Sequence, residues 1–142
     1  MIKITVNDKQ VRLLLKSFEE KATLARFALI KIGYLVNTQI QKRVQSSGEG
    51  IDGKKLPSYS VKYGKRRVVA GRDSSFRSLT FTGRMFLGLS ARVESPYRVV
   101  LGFAGPEAKK AMYNNEKTPF FGVGKAEKSI IDSQLNAIFG RK

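Results

Sequence analysis

The residue types that carry most enzyme chemistry are scarce in this chain of 142 residues, which has no histidine and no cysteine. Their absence excludes Ser-His and Cys-His nucleophile arrangements, disulfides and zinc sites built from those ligands. Chemistry would then depend on carboxylates or lysines. The 11 acidic residues include no pair at a spacing recognised for a two-metal site. We predict no enzyme, no cofactor and no metal, with a small carboxylate enzyme as a minor alternative.

The glycine-rich stretch at residues 48–54 has the composition of a phosphate-binding loop but not its pattern. A P-loop has four residues between its glycines, follows a strand and ends in Gly-Lys-Ser or Gly-Lys-Thr. Here Lys54 is followed by Lys55, and a predicted helix comes before the stretch. We therefore predict no nucleotide site at these glycines.

The charge of the chain predicts a polyanionic partner. Lysine and arginine total 27 against 11 acids, a formal net charge of +16. A field of this size attracts nucleic acid, an anionic membrane or an acidic protein surface. The alternative is that the charge only keeps the protein soluble. No apolar run approaches the roughly 18 residues of a membrane span, and the N-terminus lacks a signal-peptide core, so we expect assembly in a cytoplasm and no membrane partner.

Cations are concentrated in residues 48–77, where glycine and serine are frequent and periodicity is poor. This composition predicts a long basic loop, or a flexible arm at about 48–77. Its cations would contact phosphates without reading sequence, and interleaved aromatic residues would stack on bases. The alternative is a solvated loop that orders against a neighbouring subunit. The candidate DNA- or partner-contacting residues are Lys54, Lys55, Lys62, Lys65, Arg66, Arg67, Arg72 and Arg77.

Hydrophobic patterning predicts one α+β domain over residues 1–142, in which N-terminal helices and a C-terminal helix pack on a small, mainly antiparallel sheet. The first strand would lie at a sheet edge, where a strand of another subunit could pair with it. The later strands would form a hairpin that turns at 95–97. The predicted elements are strands at 2–7, about 91–95 and 98–103, and helices at 8–19, 21–46, 107–113 and 125–139.

Two short stretches are candidates for a structural motif or an interface. Thr82 and Gly83 form a predicted turn, because glycine permits backbone that other residues resist, and Met85 follows them. Pro119, Phe120 and Phe121 lie in an apolar predicted loop. This loop is interpreted either as a plug into the core of its own subunit or as an exposed contact for a partner.

The order of these features resembles the tail-completion and neck proteins of tailed bacteriophages, the phage virion morphogenesis or minor tail protein family. Residues 50–57 read Gly-x-x-Gly-x-x-Leu-Pro, similar to the family's Gly-x-x-Trp-x-x-Leu. Residues 79–85 resemble its Leu-x-x-Thr-Gly-x-Leu, and residues 118–123 resemble its Arg-Pro-Phe-Leu-Gly-Leu. The likeness spans most of residues 9–139.

The resemblance implies a structural virion protein of the head–tail neck or tail-completion ring, similar to a tail terminator. It implies a homo-oligomeric ring, expected to be a hexamer, around the channel through which the genome passes. Neighbouring neck, connector or tail-tube proteins would be its partners, and genomic DNA in the channel a further one. The expected location is the virion neck or upper tail. The runner-up is a sequence-independent nucleic-acid-binding module.

Overall fold

The computed structural model describes residues 3–6, 22–80, 82–95 and 98–140. The chain is α+β, as predicted. The predicted helix at 8–19 lies outside the described residues, as do Pro96 and Tyr97 of the predicted hairpin turn. The elements in chain order are β1 (Lys3–Val6), α1 (Ala22–Ser47), α2 (Val61–Val69), α3 (Arg84–Leu87), β2 (Leu89–Ser95), β3 (Arg98–Phe103), α4 (Ala108–Lys117) and α5 (Lys125–Phe139).

The three strands form one antiparallel sheet in the order β1-β3-β2. β2 and β3 pair as the predicted hairpin, and Leu101 of the central strand lies opposite Ala91 on one side and Ile4 on the other. β1 therefore occupies an edge of this sheet, as its sequence predicted. Pairing of that edge with a strand of a second subunit stays a prediction.

Helix α1 covers one face of the sheet with a regular row of apolar residues. Ile32, Val36, Ile40 and Val44 are all buried, and their spacing of four places them on one side of the helix. Gly33 brings helix and sheet into close contact, because a Cβ there would lie 2.9 Å from side-chain carbons of β2 and β3. The predicted helix at 21–46 is confirmed, and its apolar period is the reason that it was predictable.

Three distant stretches of the chain complete the core. Leu56, Met85, Phe120 and Phe121 belong to the same buried cluster as the row on α1. The ring centroid of Phe103 lies 4.9 Å from that of Phe121, in an edge-to-face arrangement. Aromatic side chains bury about 150–250 Å² each, which at about 25 cal/mol per Å² is a gross gain of roughly 4–6 kcal/mol per ring.

Helix α4 extends beyond its predicted end at residue 113. Asn114 and Asn115 were expected to stop it, but the helix continues to Lys117. Both side chains have partners that suit a helical backbone. Asn114 Nδ2 donates to the carbonyl oxygen of Lys110 one turn earlier, at 2.8 Å. Asn115 Oδ1 accepts from the backbone N–H groups of Phe120 and Phe121, at 3.0 and 2.8 Å.

The segment at 48–77 differs most from its prediction. It was expected to be a loop, but its middle is the nine-residue helix α2. Backbone hydrogen bonds tie its first part to the body, from Leu56 N–H to Gly48 O at 2.7 Å and from Ile51 N–H to Pro119 O at 3.2 Å. The prediction of a loop is wrong for Val61–Val69, while the flexibility of the segment stays a prediction.

Candidate functional site

Helix α2 has well-formed ends that explain why so short a basic segment is helical. Ser60 precedes it, and its hydroxyl oxygen accepts from the N–H of Tyr63 at 3.4 Å. Beyond its end, Gly71 adopts a φ of +67°. The N–H groups of Gly71 and Arg72 donate to the carbonyls of Val68 and Arg67, at 2.9 and 2.8 Å. This bond pair is the Schellman ending, which favours glycine at the left-handed position.

Arg67 attaches the inner side of α2 to the rest of the chain. Its side chain is only 3% exposed. Its Nε donates to Asp73 O at 2.8 Å and its Nη1 to Thr80 O at 2.7 Å. Its guanidinium carbon lies 4.5 Å from the ring centroid of Tyr59, within cation–π range. Because the chain's own carbonyls occupy this guanidinium, we assign Arg67 a structural role rather than a contact with a partner.

The outer side of α2 combines apolar and cationic side chains, and we call it the α2 surface. Val61, Val68 and Val69 are 77%, 61% and 89% exposed. Val61, Lys65 and Val68 follow the i, i+4, i+7 spacing of one helix face, with Val69 beside them. Lys62 and Arg66 form the adjacent row at i and i+4. The α2 surface consists of Val61, Lys62, Lys65, Arg66, Val68 and Val69, all of them exposed.

The cations of the α2 surface are not neutralised by neighbouring acids. Within the described part of the chain, no carboxylate lies within 4.0 Å of Lys62, Lys65 or Arg66 in an ion pair. Clustered uncompensated cations attract anionic groups over about a Debye length. The valines beside them would gain roughly 25 cal/mol for each Å² that a partner removes from water. This surface can therefore bind a partner that is both acidic and apolar.

The other predicted contact cations lie in different surroundings. Lys54 Nζ lies 4.0 Å from Asp52 Oδ2 on an exposed turn. Lys55 Nζ lies 3.5 Å from Glu49 Oε1 and donates to the carbonyl of Ser47. Arg72 is exposed directly after the end of α2, and Arg77 is half-buried beside Tyr59. The eight predicted residues thus do not form one patch.

The predicted motif residues divide into turn and core positions. Gly83 has a φ of +80°, and a Cβ there would meet nothing within 4 Å. Thr82 and Pro119 are exposed, whereas Met85, Phe120 and Phe121 are buried at 4%, 0% and 3% exposure. Of the two interpretations of the apolar loop, the plug into its own core is confirmed. Its burial is possible because Asn115 satisfies the N–H groups of both phenylalanines.

A buried ion pair joins segments that the sequence analysis did not connect. Arg43 Nε donates to Glu127 Oε1 at 2.8 Å, and the two side chains are 5% and 0% exposed. The remaining donors of Arg43 reach Glu49 O at 3.1 Å and Gly122 O at 3.2 Å. Glu127 Oε2 accepts from Gly124 N–H at 2.9 Å. With all these atoms paired inside the chain, the pair is structural; no sequence signal links two charges 84 residues apart.

Metal-ligand clusters and membrane-spanning helices were sought in the described ranges. Those residues contain no cluster of three or more acidic side chains able to hold a metal ion. None of the helices described is long and apolar enough to cross a membrane. No protein-family model matches the chain, and neither the curated proteins nor the solved structures contain a significant match.

Proposed function

We propose that this chain is a structural virion protein that forms a homo-oligomeric ring in the neck or tail-completion region of a tailed bacteriophage. The observation that carries the proposal is the α2 surface, where Val61, Val68 and Val69 are exposed among unpaired cations. Exposed apolar patches with a polar rim are a feature of protein–protein contact sites. The expected ring is a hexamer around the DNA channel, without enzymatic activity or cofactor.

The positions of the resemblance motifs support this proposal. The stretches at 50–57, 79–85 and 118–123 carry the likeness to neck and tail-completion proteins. In the structure they meet, because Leu56, Met85, Phe120 and Phe121 share one buried cluster. Gly122 and Ile51 touch so closely that a Cβ on the glycine would lie 2.5 Å from Ile51 Cδ1. Motifs that form one folding unit are expected to recur together in the same order.

The mixed character of the α2 surface favours a protein partner at this place. A surface that binds only a phosphate backbone needs cations and polar groups. The three valines gain little from phosphates, but they are the residue type that a subunit interface buries. We assign the α2 surface to the contact with a neighbouring subunit or a neighbouring virion protein.

The charge of +16 supports a second candidate, a sequence-independent nucleic-acid-binding module. Such a module would bind duplex DNA as an isolated monomer, and the logarithm of its affinity would fall steeply with the logarithm of salt concentration. Weak DNA binding alone does not separate the two candidates, because a cationic ring protein also attracts DNA. Location on the particle and oligomeric state do separate them.

Immunogold electron microscopy tests the proposal on particles purified from the source of this sequence. An antibody raised against the full chain should label the head–tail joint or the upper tail. Particles stripped of tails serve as the control, and label retained on them places the protein on the head side of the joint. Unlabelled particles, with all of the protein in the soluble lysate, would overturn the proposal and favour the nucleic-acid module.

A further inference from the structure

A cavity of about 290 Å³ opens between the start of α2, residues 77–79 and helix α4. The cavity is separate from the α2 surface, because none of the six residues of that surface lines it. Its volume is at the lower end of the range of about 300–1,000 Å³ that is typical of small-molecule sites. The polar side chains that line it are Tyr59, Ser60, Tyr63, Arg77, Lys110 and Asn114.

The charged groups of this cavity are cationic. Arg77 and Lys110 line it, and no carboxylate from the described residues does. Lys110 Nζ has one acidic neighbour outside the lining, Glu107 Oε2 at 3.5 Å. Arg77 Nε is shielded from solvent and has no hydrogen-bond partner among the described residues. An Nε that solvent does not reach is not itself open to a ligand, so a molecule in the cavity would meet Arg77 through the rest of its cationic guanidinium group.

The neighbouring groups are arranged as donors. The hydroxyl oxygen of Tyr59 already accepts from Leu79 N–H at 3.1 Å, which leaves its proton free to be donated. Ser60 caps the start of α2, and the partial positive charge of that helix end favours an anion. Lys110 and Asn114 line the cavity from one side of α4, where they are one helical turn apart.

One residue that lines the cavity has an unfavourable backbone conformation. Leu79 lines the cavity and has a φ of +54°, the one positive φ at a non-glycine residue in the described ranges. Such backbone is unfavourable for a bulky residue and persists only where its surroundings hold it. Here Tyr59 accepts from Leu79 N–H, and Arg67 donates to the next carbonyl, Thr80 O, at 2.7 Å. Arg77, two residues before Leu79, lies beside Tyr59, with its guanidinium carbon 5.8 Å from the ring centroid.

We propose that this cavity binds a phosphate group, held by Arg77 and Lys110 and by the Tyr59 hydroxyl. Two cations and several neutral donors around one space match the charge and the multiple acceptor oxygens of a phosphate. The group is carried either by a free phosphate compound or by a nucleic-acid backbone. Phosphate binding is a property of the isolated chain, so it is independent of the proposed ring.

Isothermal titration calorimetry of the full chain with inorganic pyrophosphate tests the site. Lys110→Gln and the matched control Lys109→Gln remove the same charge from neighbouring positions of α4, but Lys109 is exposed and does not line the cavity. We expect Lys110→Gln to weaken binding about tenfold or more, and Lys109→Gln less than about twofold, because only the first removes a direct charge-assisted contact. Equal losses in both variants would overturn the site and leave only general attraction by the positive field.

Arg77→Gln and Arg77→Lys complete the test. The glutamine variant should lose pyrophosphate affinity as Lys110→Gln does. The lysine variant keeps the charge but loses the planar guanidinium with its several donors, so it should recover only part of the affinity. Folding is followed by circular dichroism, and if Arg77→Gln fails to fold, the Lys110 and Lys109 pair decides. Unchanged affinity in a folded Arg77→Gln would contradict the proposal.

Competition distinguishes the two sources of phosphate. A short DNA duplex that displaces pyrophosphate from the wild-type chain, but not from Lys110→Gln, identifies the backbone of a nucleic acid as the ligand. Pyrophosphate that stays bound in the presence of saturating duplex identifies a free phosphate compound. No measurable pyrophosphate binding at low ionic strength, with or without DNA, would overturn the proposal.

Discussion

The loop at 119–123 and the α2 surface place their apolar residues in opposite surroundings. The loop is apolar and lacks regular structure, and its Phe120 and Phe121 are buried. The α2 surface belongs to the most cationic segment of the chain, yet Val61, Val68 and Val69 on it are exposed. The apolar stretch therefore serves the core, and the basic stretch carries the exposed apolar patch.

The difference comes from how each backbone satisfies its polar groups. A loop can be buried only if its N–H groups find partners, and Asn115 Oδ1 supplies one acceptor for two of them. Helix α2 forms its own backbone bonds, and Arg67 holds it against the body through two hydrogen bonds. Its outer side chains are therefore free to serve a partner.

The largest expected effect is on the buried loop. Phe120→Ala removes a fully buried ring from the cluster of Phe86, Phe103 and Phe120, and such changes cost about 3–5 kcal/mol. Urea unfolding followed by circular dichroism measures this loss. Pro119→Ala is the control at the exposed neighbouring position and should change stability by less than about 0.5 kcal/mol. Similar losses in both variants would contradict the plug.

A smaller effect is expected where α2 is attached. Arg67→Met leaves the carbonyls of Asp73 and Thr80 without their donor, and unsatisfied buried groups cost about 1–3 kcal/mol. Arg66→Met removes the same charge from the exposed face and should stay within about 0.5 kcal/mol of wild type. The comparison uses urea unfolding of both variants under one buffer. A tolerated Arg67→Met would show that α2 does not depend on this attachment.

The smallest expected effects on stability come from two glycine-to-alanine changes, and these effects have opposite signs. Gly83→Ala introduces a Cβ at a φ of +80°, so it should destabilise by about 1–2 kcal/mol. Gly64→Ala lies inside α2 with 3.9 Å to Ser74 Cβ, and it should stabilise by up to about 1 kcal/mol because alanine favours helix. Thermal unfolding of the pair checks both signs. Stabilisation by Gly83→Ala would contradict the turn assigned to Thr82 and Gly83.

The sequence was sufficient to predict the helices whose buried apolar residues recur at a regular spacing. Helix α1 was predictable because Ile32, Val36, Ile40 and Val44 repeat on the face that meets the sheet, and α5 has a similar pattern. The valines of helix α2 also lie on one side, but that side faces water, and the inner side is held by an arginine. Ser60 as an N-cap and Gly71 eleven positions later were the signals that would have located it.

The candidate site was predictable only as a basic segment. Neighbouring arginines such as Arg66 and Arg67 are indistinguishable in composition, and only the rotation of the helix turns one outward and the other inward. The pairing of Arg43 with Glu127 depends on tertiary folding across 84 positions. The cavity at Arg77 likewise requires α4 to lie beside the start of α2.

The most direct measurement is the molar mass of the purified full chain in solution by sedimentation velocity, compared with that of the double variant Val61→Ser/Val69→Ser. Both substitutions are at exposed positions, so together they should change the free energy of unfolding by less than about 0.5 kcal/mol. If the α2 surface joins subunits, the wild-type chain forms a discrete oligomer and the double variant shifts to monomer at the same concentration. A wild-type oligomer that the double variant retains in full, or a wild-type chain that stays monomeric, would contradict a contact between subunits at the α2 surface.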